Sequence, residues 1–97
     1  MSYRFLLPAR DELEEAIDFY NQRRRGLGYE FAEEVESTIS RILAFPRAWP
    51  EVSPRARRCR TRRFPYGVIY QIREDEILVV AVMHLKRQPF YWKDRLV

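Results

Sequence analysis

Apolar residues recur at helical spacing early in the chain. Leu13, Ile17 and Tyr20 fall on one stripe, which predicts a helix over residues 10–24. Acidic residues crowd the first turns of this segment and Arg23–Arg25 crowd its last turn. Both placements complement the helix dipole, so the charges support the same helix.

A second helical stripe follows after a very short connection. Five apolar side chains at helical spacing, with glutamates between them, predict a helix over residues 28–44: Phe31, Val35, Ile39, Ile42 and Leu43. Gly26 is a signal for the end of the first helix, and Gly28 comes only two residues later. The two helices are therefore predicted to form an antiparallel hairpin.

The rest of the chain has the patterns of β-strands. Residues 45–54 contain three prolines and predict an irregular loop, and the tail from residue 89 to 97 predicts a short helix. One run of seven apolar residues predicts a strand buried on both faces, in the centre of its sheet. The predicted strands cover residues 3–6, 57–63, 68–73 and 77–83, the last three joined by short turns as an antiparallel meander.

The element order therefore predicts an α+β fold of the type βααβββ. A helical hairpin has to bury its apolar stripe, and one face of the sheet is the available surface. We expect a helical hairpin packed on one face of a small, mainly antiparallel sheet. With 97 residues, we expect one domain that spans residues 1–97.

Charge is distributed unevenly, and one segment accounts for much of the imbalance. Residues 1–46 hold 6 Arg and 9 Asp/Glu, whereas residues 47–97 hold 12 Arg/Lys and 5 Asp/Glu. Six arginines lie in the arginine segment, residues 55–63. Strand alternation predicts that Arg58, Arg60 and Arg62 share the sheet face opposite the helices. Guanidinium groups gathered on one face would suit a polyanion or an acidic partner.

Other features restrict the class of protein. Cys59 is the only cysteine, which excludes an internal disulfide and favours a small buried side chain in a reducing compartment. The apolar part of the N-terminus is too short for a signal peptide, and no run approaches the roughly 20 apolar residues that span a bilayer. We expect a soluble cytoplasmic protein with no membrane association.

Several segments, in this order and spacing, resemble the RelE/ParE superfamily of toxins from type II toxin–antitoxin systems. The likeness covers nearly the whole chain, and the Arg-Phe-Pro-Tyr turn between two strands is its most specific part. The segments are Glu14-Glu15-Ala16-Ile17-Asp18-Phe19-Tyr20, Gly26-Leu27-Gly28 with Phe31, Ile42-Leu43-Ala44-Phe45-Pro46 with Trp49-Pro50, Arg62-Arg63-Phe64-Pro65-Tyr66-Gly67-Val68-Ile69-Tyr70, and Val79-Val80-Ala81-Val82-Met83-His84.

The resemblance implies a growth-inhibiting toxin in a hetero-oligomer with a cognate antitoxin encoded nearby. It leaves three functions open. ParE-like members block DNA gyrase, RelE-like members cut messenger RNA in the ribosome without metal, and an inactive relative would only bind the antitoxin. RelE-like members carry lysines on the middle strands, where this chain has arginine only, and the ending His84-x-Lys86-Arg87 is similar to ParE-like endings. The ParE-like interpretation is therefore favoured, and neither interpretation requires a cofactor or a metal.

If the chain is a nuclease, RNA cleavage needs proton transfer and cations around the phosphate. Histidine suits proton transfer near neutral pH, so the predicted catalytic residues are His84, Tyr91, Arg63 and Lys86. The predicted target-binding or nucleic-acid-binding residues are Arg58, Arg60, Arg62 and Arg87, with Glu51 as a possible base and Tyr66 and Tyr70 as possible stacking residues. Each has a structural alternative: His84 as a packing residue at a strand end, Tyr91 and Trp92 as a cover over the core, and Lys86 and Arg87 as antitoxin contacts.

Overall fold

The structure is a computed structural model that describes residues 1–97. It contains two helices, five strands and a short 3-10 turn at Lys93–Arg95 near the end of the chain. The helices are α1 (Leu7–Arg23) and α2 (Leu27–Ala44), and the strands are β1 (Ser2–Phe5), β2 (Glu51–Ser53), β3 (Ala56–Arg60), β4 (Tyr66–Arg73) and β5 (Glu76–His84). No helix has the length and apolar character that a membrane span requires.

The predicted α+β fold is confirmed. The strands form one sheet in the order β1-β5-β4-β3-β2, in which only the β1–β5 pair is parallel. The helices cover one face of this sheet, which we call the helix face. The apolar run of β5 lies between β1 and β4, and seven consecutive residues from Ile77 to Met83 are buried, as predicted for an inner strand.

The helical hairpin is closed by one glycine. The backbone N–H of Gly28 donates to Asn21 Oδ1 at 2.7 Å, and a Cβ at this position would lie 2.1 Å from the carbonyl oxygen of Ile17. Only glycine therefore allows α2 to start this close to α1. Gly26, with a φ of 87°, makes the turn between the two helices.

Three element boundaries were predicted wrongly. The first helix begins at Leu7 instead of residue 10, because Pro8 is compatible with the first turn of a helix. The loop predicted over residues 45–54 contains β2, a three-residue edge strand that pairs with β3 through an irregular register. The strand predicted over residues 57–63 ends at Arg60.

The second face of the sheet was expected to be open and basic, and this expectation is wrong for its centre. The chain after β5 crosses this face, which we call the tail face. Trp92, only 2% exposed, packs there against the buried side chains of Ile69, Val80 and Met83, and Leu96 adds to the cover. The helix predicted for residues 89–97 is limited to the 3-10 turn.

Candidate functional site

Strand β3 sends its arginines to both faces of the sheet. Ala56 belongs to the tail-face core and Cys59 to the helix-face core, so Arg58 and Arg60 share the tail face with Ala56, as predicted. The stem of Arg58 lies over Gly67, where a Cβ would come 3.0 Å from its Cγ and Cδ. Burial, with the neighbouring charge of Arg60, lowers the pKa of the Arg58 guanidinium. Arg58 and Arg60 thus form a basic pair beside the covered centre of the tail face.

Arg62 was predicted on the same strand face, and this placement is wrong because β3 ends before it. Arg62 and Arg63 lie in the loop between β3 and β4, and both backbone N–H groups donate to Glu34 Oε1, at 2.6 and 2.9 Å. The guanidinium of Arg63 donates to Glu30 Oε1 at 2.7 Å and lowers the pKa of that carboxyl group. Helix α2 therefore holds this loop, and it engages the Arg63 side chain while the Arg62 side chain makes no hydrogen bond.

His84 ends β5 and lies at a separate place, in a cleft between α1 and the sheet. The cleft has a volume of about 320 Å³, and Glu15, Phe19 and Arg87 also line it. The imidazole packs edge-on against the ring of Tyr66, with 5.1 Å between centroids. Its Nδ1 accepts a hydrogen bond from the backbone N–H of Lys86 at 3.1 Å. This bond leaves Nε2 as the nitrogen that carries the proton in the neutral ring.

Glu12, on the first part of α1, is the most connected side chain of this region. Strand β1 stops pairing at Phe5, opposite Val79, so the following part of β5 is an edge. Glu12 Oε1 accepts from the backbone N–H of Val82 at 3.1 Å and from Arg95 at 2.9 Å. Its Oε2 accepts from Tyr91 and from Arg95, at 2.6 and 3.2 Å. One carboxylate thus joins α1, the free edge of β5 and the tail.

Sequence reasoning missed Glu12 because the residue stands among four acidic residues in two turns. The available signal is its position four residues before Ala16, which places it on the buried side of α1. Its side chain is 13% exposed. Its neighbours Asp11 and Glu14 are exposed.

Tyr91 is held in place on every side. Arg87 and Arg95 stack on its ring, at 3.8 and 5.2 Å from the centroid, and its hydroxyl donates to Glu12. Burial raises the pKa of this phenol, and the acceptor Glu12 raises it further. A phenol in this state gives up its proton with difficulty, which suits a structural role better than a role as a general acid.

Of the remaining predicted residues, Tyr66 lines the His84 cleft, and Lys86, Glu51 and Tyr70 do not. Lys86 is exposed and forms no ion pair, and Glu51 lies on β2, 3.6 Å from the guanidinium of Arg57. Tyr70 is fully buried and donates to the carbonyl of Pro46 at 2.6 Å, so its ring is not available for stacking. Tyr66 is half-buried and packs against Tyr20, Phe31 and His84.

The structure therefore divides the candidates among three places. His84 and Arg87 share the cleft beside α1, and Tyr91 stacks against Arg87. Arg58 and Arg60 lie on the tail face, and Arg63 is bound to α2. No group of three or more His, Cys, Asp or Glu side chains is arranged to hold a metal ion.

A helical hairpin on a sheet of this strand order matches the fold of the RelE/ParE superfamily. The family described as the ParE toxin of the type II toxin–antitoxin system, parDE, matches residues 3–89, and the chain belongs to this family. A solved structure, the chromosomal ParDE toxin–antitoxin system from P. aeruginosa, is similar in fold. Its TM-score is 0.78 at 14% identity over 89% of this chain and 97% of that chain. No curated protein matched the chain.

Proposed function

We propose that this ParE-family toxin inhibits growth by blocking DNA gyrase, and that a cognate antitoxin neutralises it. The observation that supports this proposal is the separation of the candidate residues. Metal-independent RNA cleavage needs a proton acceptor, a proton donor and cations around one phosphate. Here His84 shares its cleft with Arg87 alone of the predicted cations, whereas Arg63 is bound to Glu30 on α2 and the hydroxyl of Tyr91 donates to Glu12.

The basic pair on the tail face is the proposed contact with gyrase. Neither guanidinium has an acidic partner within the chain. Since a guanidinium is a rigid fork of donors, two of them side by side suit carboxylates on a protein surface. Charged hydrogen bonds of this type are each worth about 1.5–3 kcal/mol, which is about tenfold or more in affinity.

A supercoiling assay with purified gyrase tests the proposal. We expect the wild-type chain to inhibit supercoiling, and we expect Arg58→Gln/Arg60→Gln to need a concentration higher by about tenfold or more. Arg10→Gln/Arg25→Gln is the matched control, because it removes the same charge from two exposed arginines that form no ion pair. Normal supercoiling at saturating wild-type toxin would exclude gyrase as the target.

The runner-up function is a ribosome-dependent RNase, and the His84 cleft favours it. The cleft brings an imidazole together with Arg87 and two carboxylates, Glu12 and Glu15. This function predicts cleavage of messenger RNA within codons soon after induction. His84→Gln keeps a polar side chain of similar size, so toxicity unchanged in this variant would remove His84 from catalysis. Profiling RNA cleavage and DNA topology in the same induced cells separates the two functions.

The antitoxin is proposed to be a small acidic or amphipathic chain that covers the helical hairpin and the basic residues. The hairpin leaves two aromatic side chains exposed, Phe19 on α1 at 47% and Tyr29 on α2 at 66%. Apolar side chains of this size on a helical surface suit an amphipathic segment that folds on binding. Co-expression with the neighbouring reading frame should give a stable complex, and failure to co-purify would contradict this assignment.

A further inference from the structure

A second concave site lies at the end of the sheet opposite the β3–β4 loop. It is a cavity of about 600 Å³ between the loop before β2, the ends of β3 and β4, and the last residue of the chain. We call it the arginine cavity, because four arginines line it. They are Arg47, Arg55, Arg57 and Arg73, and the other charged side chains of the lining are Glu51 and Glu74.

The cavity carries more positive than negative charge, because four arginines and two glutamates line it. Arg57 donates to the carbonyl oxygens of Trp49 and Arg47, at 2.7 and 3.1 Å, and lies 3.6 Å from Glu51. Arg55 donates to the main-chain oxygen of Val97 at 3.4 Å. Arg47 and Arg73 form no ion pair and their side chains donate no hydrogen bond within the chain.

The two glutamates offset only part of the repulsion among the four guanidiniums, and a bound anion would offset the remainder. Arginine is the side chain best matched to phosphate oxygens, which it binds with two parallel N–H donors. Arg57 is engaged by two backbone carbonyls and by Glu51, so Arg47 and Arg73 are the arginines of the lining with free donors. The volume is within the range of small-ligand sites.

The acidic residues indicate the shape of the ligand. Glu51, which is 58% exposed, and Glu74, in the exposed turn after β4, line the cavity together with the arginines. Their carboxylates would repel a nucleic-acid backbone, whereas a compact anion stays among the arginines. We propose that the arginine cavity binds a compact polyphosphate, either as the free anion or as the triphosphate of a nucleotide.

Calorimetric titration of the full chain at low ionic strength tests the proposal, with inorganic tripolyphosphate as the probe. We expect one-to-one binding that weakens as salt is added. Arg47→Gln/Arg73→Gln alters two exposed side chains, so the fold should persist, and the affinity should fall by about a hundredfold, about tenfold for each charged contact. Arg10→Gln/Arg25→Gln has the same net charge and should bind within about twofold of the wild-type chain.

Three results would overturn the proposal. They are no binding heat at millimolar tripolyphosphate, an equal loss of affinity in the control variant, and tighter binding of a short single-stranded DNA that the cavity variant also loses. The third result would assign the cavity to nucleic acid. ATP distinguishes the two supported sources: tighter binding than tripolyphosphate indicates a nucleotide, and equal binding indicates the phosphates alone. The cavity is separate from Arg58 and Arg60. Inhibition of gyrase by Arg47→Gln/Arg73→Gln therefore tests the proposed function independently of polyphosphate binding.

Discussion

Replacing Glu12 with alanine removes the acceptor that joins three parts of the protein. The carboxylate accepts from the backbone of Val82, from the hydroxyl of Tyr91 and from both terminal nitrogens of Arg95. Alanine keeps the helix, since it has the highest helix propensity of the residues. The variant therefore measures the loss of the tertiary connection alone.

The magnitude follows from the burial of the partners. Breaking a buried ion pair by removing one member costs about 3–5 kcal/mol. The side chains of Glu12 and Arg95 are 13% and 21% exposed, and Arg95 keeps a second acceptor, the carbonyl of Val80 at 3.0 Å. We therefore expect the lower end of the range, about 3 kcal/mol. A domain of this size has a free energy of unfolding of about 5–15 kcal/mol, so the loss is a large fraction of the total.

Urea denaturation with linear extrapolation measures this loss, provided that the slope stays constant between variants. Glu12→Gln keeps the amide oxygen as an acceptor but not the charge, so we expect a smaller loss of about 1–2 kcal/mol. Glu14→Gln is the matched control, because Glu14 lies on the exposed side of the same helix. It should change the free energy of unfolding by less than about 0.5 kcal/mol.

Two measurements would refute the reasoning. The first is a stability of Glu12→Gln and Glu12→Ala equal to that of the Glu14→Gln control. The second is an absence of coupling between Glu12→Gln and Tyr91→Phe, because side chains that share a hydrogen bond should show a coupling energy of about 0.5–3 kcal/mol. Either result would mean that the carboxylate is not the connection between the tail and α1.

Three further predictions concern other parts of the molecule. Gly28→Ala would place a Cβ 2.1 Å from the carbonyl of Ile17, so we expect a loss of about 3 kcal/mol in thermal unfolding, and an unchanged melting temperature would contradict the close approach. Burial raises the pKa of Tyr70 to about 12. The stability that the neutral phenol contributes is therefore complete below about pH 10, the pKa of tyrosine in the unfolded chain, and is lost as the pH rises towards 12. Over that window unfolding free energies should fall by about 2–3 kcal/mol more for the wild-type chain than for Tyr70→Phe, and equal slopes would exclude Tyr70. The affinity for the antitoxin should fall as the salt concentration rises from roughly 50 to 500 mM, because salt in this range screens the attraction between exposed charges. A constant affinity would contradict charge pairing between the toxin and the antitoxin.

The two elements with complete apolar patterns were predicted closest to their observed positions. Helix α2 was predicted over residues 28–44, and it begins only one residue earlier. The prediction was close because the apolar stripe and the glycine signal both lie within the segment itself. The long strand β5 was recognised for the same reason: seven consecutive apolar residues leave no polar face. Local sequence thus determined these two elements.

The elements that were missed depend on distant partners. Strand β2 has three residues between two prolines, and its pairing with β3 makes it a strand. Glu12 contacts groups that are 70 to 83 positions away along the chain, at Val82, Tyr91 and Arg95. Periodicity cannot report such contacts, since it describes only which side of an element is buried.

The arginine segment shows how far strand alternation predicts function. Two of its arginines are engaged within the chain, Arg57 by loop carbonyls and Arg63 by Glu30. Arg58, Arg60 and Arg62 make no side-chain hydrogen bond, although Arg62 lies beyond the strand. Alternation accounts for the arginines only as far as Arg60, where β3 ends; beyond it, Glu34 holds the backbone of Arg62 and Arg63, and Glu30 engages the Arg63 side chain alone. It follows that the free Arg62 side chain belongs to the β3–β4 loop and not to the basic pair of Arg58 and Arg60, whereas Arg63 would first have to leave α2.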